Sequence, residues 1–160
     1  MLSPPDLLNA YHSLQGFDSG VPSLDQWLIR RALVNQASGA SRTYVIRDDS
    51  AVVGYYALAS SAIAVVAAPG RFRRNMPDPI PVVVLGRLAV ARTHHGSGLG
   101  RALFQDAARR TLNAADAVGI RGMIVHAISE EAKAFYLRLG LDPSPVDPMM
   151  LVFACTEAKA

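Results

Sequence analysis

The sequence predicts a mixed α/β layer fold, a central sheet flanked by helices. Three observations carry that prediction. Hydrophobic period along the chain gives the order helix, two strands, loop, strand, helix, strand, helix, strand. One stretch, Leu85 to Ala108, changes period in its middle, from an aliphatic strand to a helix, across a glycine-rich turn. Composition agrees: of 160 residues, 51% are hydrophobic and 18% charged, enough apolar surface for a core and too little charge for a disordered chain. One domain over residues 1–160 is the expectation.

Taken in order, residues 1–20 are turn-rich and end in the loop Gly16-Phe17-Asp18-Ser19-Gly20. A helix is expected next, capped by Ser23 with Gln26 completing a capping box. Trp27, Leu28, Ala32 and Leu33 make its apolar face, and Ser38-Gly39 ends it. Arg42–Arg47 and Ala51–Ser60 read as two strands joined by Asp48-Asp49-Ser50. Ala51 to Gly70 lacks charge and is long enough to cross a bilayer. Its Ala, Ser, Val and Gly content, two early tyrosines and Pro69 fit strands with a bend at Ser60-Ser61 better. Ala67–Pro81 reads as a loop holding Arg71-Phe72-Arg73-Arg74.

The organising strand follows, with Val82–Leu85 leading into Leu88-Ala89-Val90. After Gly98, Leu99, Leu103 and Ala107 share a helical stripe with Phe104, Ala108, Leu112 and Ala115. Arg101, Gln105, Arg109 and Asn113 fall opposite, and Gly119 closes the helix. Met123-Ile124-Val125 is a short buried strand. Ser129 caps the next helix, Glu130 and Glu131 suit its first turn, and Gly140 fits the position just past its end. Ala132, Phe135, Tyr136 and Leu139 form its apolar face. Met149–Phe153 is the last strand.

Strand, glycine turn and helix N-terminus together make a site for phosphate or pyrophosphate, because the first amides of a helix lack partners and glycines admit an anion closely. The spelling disfavours two nucleotide loops. Gly100 is followed by Arg101-Ala102, where a Walker loop has Lys-Ser or Lys-Thr. The spacing Gly96-x-Gly98-x-Gly100 is not that of a dinucleotide fold. The glycine spacing taken alone fits a turn that merely starts a helix equally well.

His95-Gly96-Ser97-Gly98-Leu99-Gly100 after an apolar strand resembles the acetyl-CoA motif of the GNAT N-acetyltransferases. That motif reads Gln or Arg, two residues, Gly, one residue, then Gly or Ala; His95 stands at the Gln or Arg position. A second segment, Ala132 to Leu141, resembles the family's A-x-x-F-Y-x-x-x-G-F pattern, with Leu141 replacing the final Phe. The resemblance covers most of the chain. It implies the GNAT acyltransferase fold, a sheet splayed at the acetyl-CoA site, and acetyl-CoA as donor. It further implies that backbone groups of Leu88, Ala89 and Val90 pair with the pantetheine arm. The turn His95, Gly96, Ser97, Gly98, Leu99, Gly100 and Arg101, with Ser129, belongs to the same cofactor set, and Tyr136 is the acid that protonates the departing thiolate. No metal is implied.

The N-terminal third is narrower in what it matches. Phe17-Asp18-Ser19-Gly20 through Trp27-Leu28, then Arg31-Ala32-Leu33, resembles the GNAT toxins of bacterial toxin–antitoxin pairs, where the family commonly has F-D-C-G. Arg42–Val45 and Gly86–Val90 fit the same group. This implies acetylation of the α-amino group of aminoacyl-tRNA, a block in translation, and a ribbon-helix-helix antitoxin as partner. A homodimer stays open.

Acetyl transfer needs a neutral amine held close, a stabilised oxyanion and a proton for the thiolate. Tyr136 also lies on an apolar helix face, where an aromatic is ordinarily core. His94, His95 and His126 are the nearby imidazoles, and none reads as an obvious general base. An α-amino group, with a pKa of about 7.7–8.0, is already partly neutral at pH 7, whereas a lysine amine near 10.4 needs more help. Arg71, Arg73 and Arg74, with Phe72 among them, form a patch able to hold RNA phosphates and stack a base. Arg87 extends this substrate set, together with Arg30, Arg31, Arg42 and Arg92. Solvated surface charge, or docking of an acidic antitoxin tail, explains the same arginines.

The balance of 16 Lys+Arg to 13 Asp+Glu permits an anionic partner without demanding one. Cys155 is the only cysteine, so no intrachain disulfide forms. Pro4, Pro5 and Asp6 stand where a secretory apolar stretch would begin, so a cytoplasmic protein off the membrane is expected. Two rival functions remain at this level: a GNAT acting on a small-molecule or protein amine, and a non-catalytic GNAT-like module in an antitoxin–repressor complex.

Overall fold

The computed structural model describes residues 1–155. Its elements are β1 (Asp6–Leu7), α1 (Pro22–Arg30), α2 (Ala32–Ser38), β2 (Arg42–Asp48), β3 (Ala51–Ile63), α3 (Gly70–Arg73), β4 (Ile80–Val90), α4 (Leu99–Ala117), β5 (Gly122–His126), α5 (Glu130–Arg138), β6 (Asp142–Pro143) and β7 (Met150–Ala154). Single 3-10 turns lie at Val65–Ala67 and Arg92–His94. The strands follow the order β1-β2-β3-β4-β5-β7-β6. The mixed sheet with helices is the expected fold class.

The chain divides into two compact units. The first holds Met1–Ala59 and Gly86–Ala107. In it β1 pairs antiparallel with β2, and β2 with β3, through a tight hairpin with Asp49 at φ 56°. Tyr55 and Tyr56 alternate across β3 and are both fully buried, with Val45, Leu28 and Leu103. The first turns of α4 obey the expected stripe: Leu99, Leu103, Phe104 and Ala107 are buried, while Arg101 and Gln105 are exposed.

The second unit holds Ser60–Leu85 and the residues from Ala108 on. There β4 runs parallel to β5 over Val83–Met123, Val84–Ile124 and Leu85–Val125. β7 pairs antiparallel with β5 on one side and with β6 on the other. Phe72, Ile80, Val82, Ile124 and Val152 form its core. Gly122 admits this packing: a Cβ there would collide with the Phe153 carbonyl oxygen and stand 2.7 Å from the Phe72 ring.

Four local expectations need correction. Ser23 is not the cap of α1. The helix starts two residues earlier, at Pro22, behind an N-cap Val21 that makes no side-chain cap bond, because proline is preset for a first helical position. The expected single helix is two, broken at Arg31, whose φ of −120° takes it out of helical geometry. β3 does not end at Ser60-Ser61 but runs on to Ile63, with both serines exposed. The stretch read as loop over Ala67–Pro81 contains the one-turn helix α3 and the start of β4, because burying Phe72 and Ile80 draws it onto the core. β1 and β6, two residues each, are too short to show a period.

Candidate active site

The glycine turn lies in the first unit, where β4 gives way through the 3-10 turn at Arg92–His94 to α4. Gly96 and Gly98 adopt φ of 76° and 85°, left-handed values that other residues reach only with strain. A Cβ on either would meet nothing within 4 Å, so the turn stands open on that side. Ala102 N–H is the first to close a helical bond, onto the Gly98 carbonyl. Among the described residues, the N–H groups from Gly96 to Arg101 meet no acceptor. Consecutive open amides at the N-terminus of a 19-residue helix, with Gly96, Ser97 and Gly98 exposed, fit a pyrophosphate in chemistry and in space.

His95 is exposed, and one ring nitrogen, Nε2, turns back to the Val90 carbonyl at 2.7 Å. A carbonyl only accepts, so Nε2 carries the proton in this contact. The side chain thereby ties the turn to the end of β4, and Nδ1 is the nitrogen left for a ligand. Leu88 and Val90 are half-buried and Ala89 buried. The pairing of β4 with β5 ends at Leu85–Val125, and β4 continues past it through Leu88-Ala89-Val90.

The Phe17–Gly20 loop docks on the first residue of the 3-10 turn. Asp18 accepts from Arg92 through its carbonyl at 2.8 Å and its carboxylate at 3.2 Å. Ser19 gives its Oγ and backbone N–H to the Asp25 carboxylate, at 2.6 Å for the hydroxyl. Asp25 thereby holds the loop onto the first turn of α1. His94 faces Asp48 at 3.6 Å.

In the second unit, Ser129 caps α5, its Oγ accepting from Ala132 N–H at 3.1 Å; its hydroxyl proton is left to donate. Glu130 and Glu131 occupy the positive first turn, and Gly140 has the left-handed φ of 96° expected past the helix end. Tyr136 is 7% exposed on the face predicted to be apolar, edge-on to Phe135 at 5.1 Å. Burial drives its phenol pKa above the ordinary value of 10, so the proton stays on across the neutral range. His126 is exposed at the end of β5.

Arg71, Arg73 and Arg74 share the α3 turn and its exit. Arg121 anchors that turn, donating Nε to the Phe72 carbonyl at 2.9 Å and Nη2 to the Arg71 carbonyl at 3.0 Å. Arg71, Arg74, Asn75, Arg121 and Asp142 line a groove of about 660 Å³. One expectation fails here: Phe72 is 3% exposed and packed on Ile80 and Val152, so it is not a platform for a base. Its ring is worth more in the core than in water, since a buried Phe side chain contributes about 1.5–3 kcal/mol. Arg87 lies in the first unit, its guanidinium carbon 4.5 Å from the centre of the Trp27 ring.

Sequence reasoning missed two buried polar arrangements. Asp106 is 4% exposed and accepts from the Tyr56 hydroxyl. Its position three residues after Leu103, on the apolar stripe of α4, was the available signal. Tyr55 donates to the Leu24 carbonyl at 2.6 Å and stacks on Trp27, and nothing in their separate segments announced that pairing.

A strand that ends in an open glycine turn at a helix N-terminus, on a mixed α/β sheet, defines an α/β protein with an anion-binding turn. The chain belongs to the GNAT acetyltransferase family: residues 39–140 match the acetyltransferase (GNAT) domain. It is 48% identical over 158 residues to the tRNA-acetylating toxin of Mycobacterium tuberculosis (strain ATCC 25618 / H37Rv), covering 99% of this chain and 95% of that protein. The structure is similar to that of AtaT complexed with acetyl-methionyl-tRNAfMet, with a TM-score of 0.92, 30% identity and coverage of 99% and 98% of the two chains. It is also similar to a tyrosine-to-phenylalanine mutant of the AtaT toxin bound to the C-terminus of the antitoxin AtaR and acetyl-CoA, with a TM-score of 0.85, 30% identity and coverage of 99% and 96%. Among the described residues no helix is long and apolar enough to cross a membrane.

Proposed function

We propose that this protein moves an acetyl group from acetyl-CoA to the α-amino group of aminoacyl-tRNA, so blocking translation, and that a ribbon-helix-helix antitoxin neutralises it. The observation that carries the reading is the 48% identity to a tRNA-acetylating toxin across 99% of the chain. The open amides of the Gly96–Arg101 turn support the donor. A single domain over residues 1–160, working in the cytoplasm where charged tRNA resides, is part of the proposal.

Bound acetyl-CoA supplies an activated acetyl thioester. The turn from His95 to Arg101 binds the pyrophosphate through backbone N–H groups, with Ser129 as an additional donor. Backbone groups of Leu88, Ala89 and Val90 orient the arm, and the tie from His95 to Val90 keeps turn and strand in fixed relation. Tyr136 holds a proton at its hydroxyl and gives it to the departing thiolate, while the proton shed by the attacking amine passes to solvent, from which the phenol is restored. The chain needs no dedicated base, because an α-amine with a pKa of about 7.7–8.0 is already partly neutral. Arg71, Arg73 and Arg74 grip RNA phosphates, and Arg87 belongs to the same substrate set.

The test is incubation with labelled acetyl-CoA and total charged tRNA, followed by identification of the acetylated aminoacyl end. Label on the α-amine of an aminoacyl ester is the expected result. Transfer only to free small amines or to protein, with charged tRNA untouched, overturns the reading.

A further inference from the structure

We infer that Trp27 and Arg87 form the seat for the 3′-terminal phosphodiester of charged tRNA, Trp27 holding in place the guanidinium that grips it; this rests on the tRNA reading above. The seat is built from the core outward. Tyr55 is fully buried and cannot swing, because its hydroxyl donates to the Leu24 carbonyl at 2.6 Å and Phe17 packs edge-on at 5.7 Å. Trp27 lies nearly parallel to it, at 6.1 Å and 10°. The Arg87 guanidinium then covers Trp27 at 4.5 Å, a stack that fixes the plane of the cation.

Arg87 is half-buried, yet among the described residues it makes no hydrogen bond or ion pair. The carboxylate of Asp25, which like Arg87 acts on the Tyr55 phenol, is taken up by the Ser19 hydroxyl and N–H. A planar cation with five donors, held rigid and given no acceptor, is arranged for an anion from outside. Its place on the strand says which anion. Arg87 immediately precedes Leu88 on β4, the first residue of the stretch proposed to pair with the cofactor arm, so it belongs to the strand that would carry the donor. In an aminoacyl-tRNA, the anionic group nearest the reacting amine is the phosphodiester preceding the terminal adenosine. A guanidinium suits it through paired N–H groups in one plane.

The test compares acetyl transfer to charged tRNA and to two minimal probes: the 3′-aminoacyl ester of adenosine with and without a 5′ phosphate, made with the amino acid the wild type accepts. Arg87→Ala should raise KM for charged tRNA and for the phosphorylated probe by at least about tenfold. It should leave KM for the phosphate-free probe and affinity for acetyl-CoA unmoved. Arg87→Lys should recover only part of the loss. Trp27→Leu should reproduce the Arg87→Ala defect, Trp27→Phe should rescue it, and the double variant should be no worse than either single one. Equal losses on both probes, or additive losses in the double variant, overturn the inference. Calorimetry with a deacylated CCA trinucleotide gives a readout free of turnover. Failure of the wild type to acetylate any charged tRNA removes the functional reading, whereas equal CCA affinity in wild type and Arg87→Ala removes this seat alone.

Discussion

Tyr136→Phe separates chemistry from packing at one oxygen atom. The ring is 7% exposed and rests edge-on against Phe135, and the substitution keeps both the burial and that packing. Losing a buried hydroxyl costs at most about 0.5–1.5 kcal/mol of stability. For a chain of this length that is a fall in Tm of roughly 2–4 °C per kcal/mol. The effect on turnover is of another order. A positioned proton donor contributes about 10²–10⁴-fold. The structure argues for the lower end. Burial raises the phenol above its ordinary value of 10, while a thiol sits near 8.5, so full proton transfer to a free thiolate is uphill by at least about 2 kcal/mol. A loss near 10²-fold, about 2.7 kcal/mol in the barrier, is the expectation. Acetyl-CoA affinity should hold, because the ground state does not use the proton. Single-turnover transfer of labelled acetyl to charged tRNA gives the rate, calorimetry the affinity and a thermal scan the stability. A variant with near-normal turnover would return Tyr136 to the core and leave the thiolate without a protein acid.

Gly98→Glu places a carboxylate and a left-handed backbone strain of about 1–2 kcal/mol at φ 85°, where open space lets the fold persist; calorimetry should show acetyl-CoA binding lost while Tm falls by only a few degrees. Gly122→Ala should behave in the opposite way, since its Cβ would collide with the Phe153 carbonyl; soluble yield and Tm should collapse before any binding is measured. Replacing Arg71, Arg73 and Arg74 together with Ala should weaken tRNA binding and flatten its salt slope by about 0.7–0.9 for each phosphate no longer neutralised, with acetyl-CoA affinity unchanged; a slope equal to wild type would assign the turn to another partner. Tyr55 and Tyr136 both have phenols raised chiefly by burial. The unfolded chain releases these protons near pH 10, so their contribution is intact below that and falls as pH climbs toward the raised folded values. Urea unfolding from about pH 8 to about pH 11, followed by tyrosinate absorbance, should show stability declining above pH 10, and less steeply in Tyr136→Phe.

The sequence by itself determined what is local. The change of period around Gly96–Gly100, the apolar stripe Leu99–Leu103–Ala107, the cap at Ser129 and the left-handed Gly140 all stand in the structure where periodicity and turn chemistry put them. Each depends on residues a few positions apart, where backbone geometry dictates which side chains share a face. Only the tertiary structure decided the rest. It withdrew Phe72 from solvent onto Ile80 and Val152, turned His95 back to Val90, and carried Asp18 to Arg92 across 74 positions of chain. It also stacked Tyr55, Trp27 and Arg87, which come from a strand, a helix and a second strand. Such pairings are selected by burial and by the need to satisfy polar groups away from water, and those terms take their values only once distant segments have been packed together.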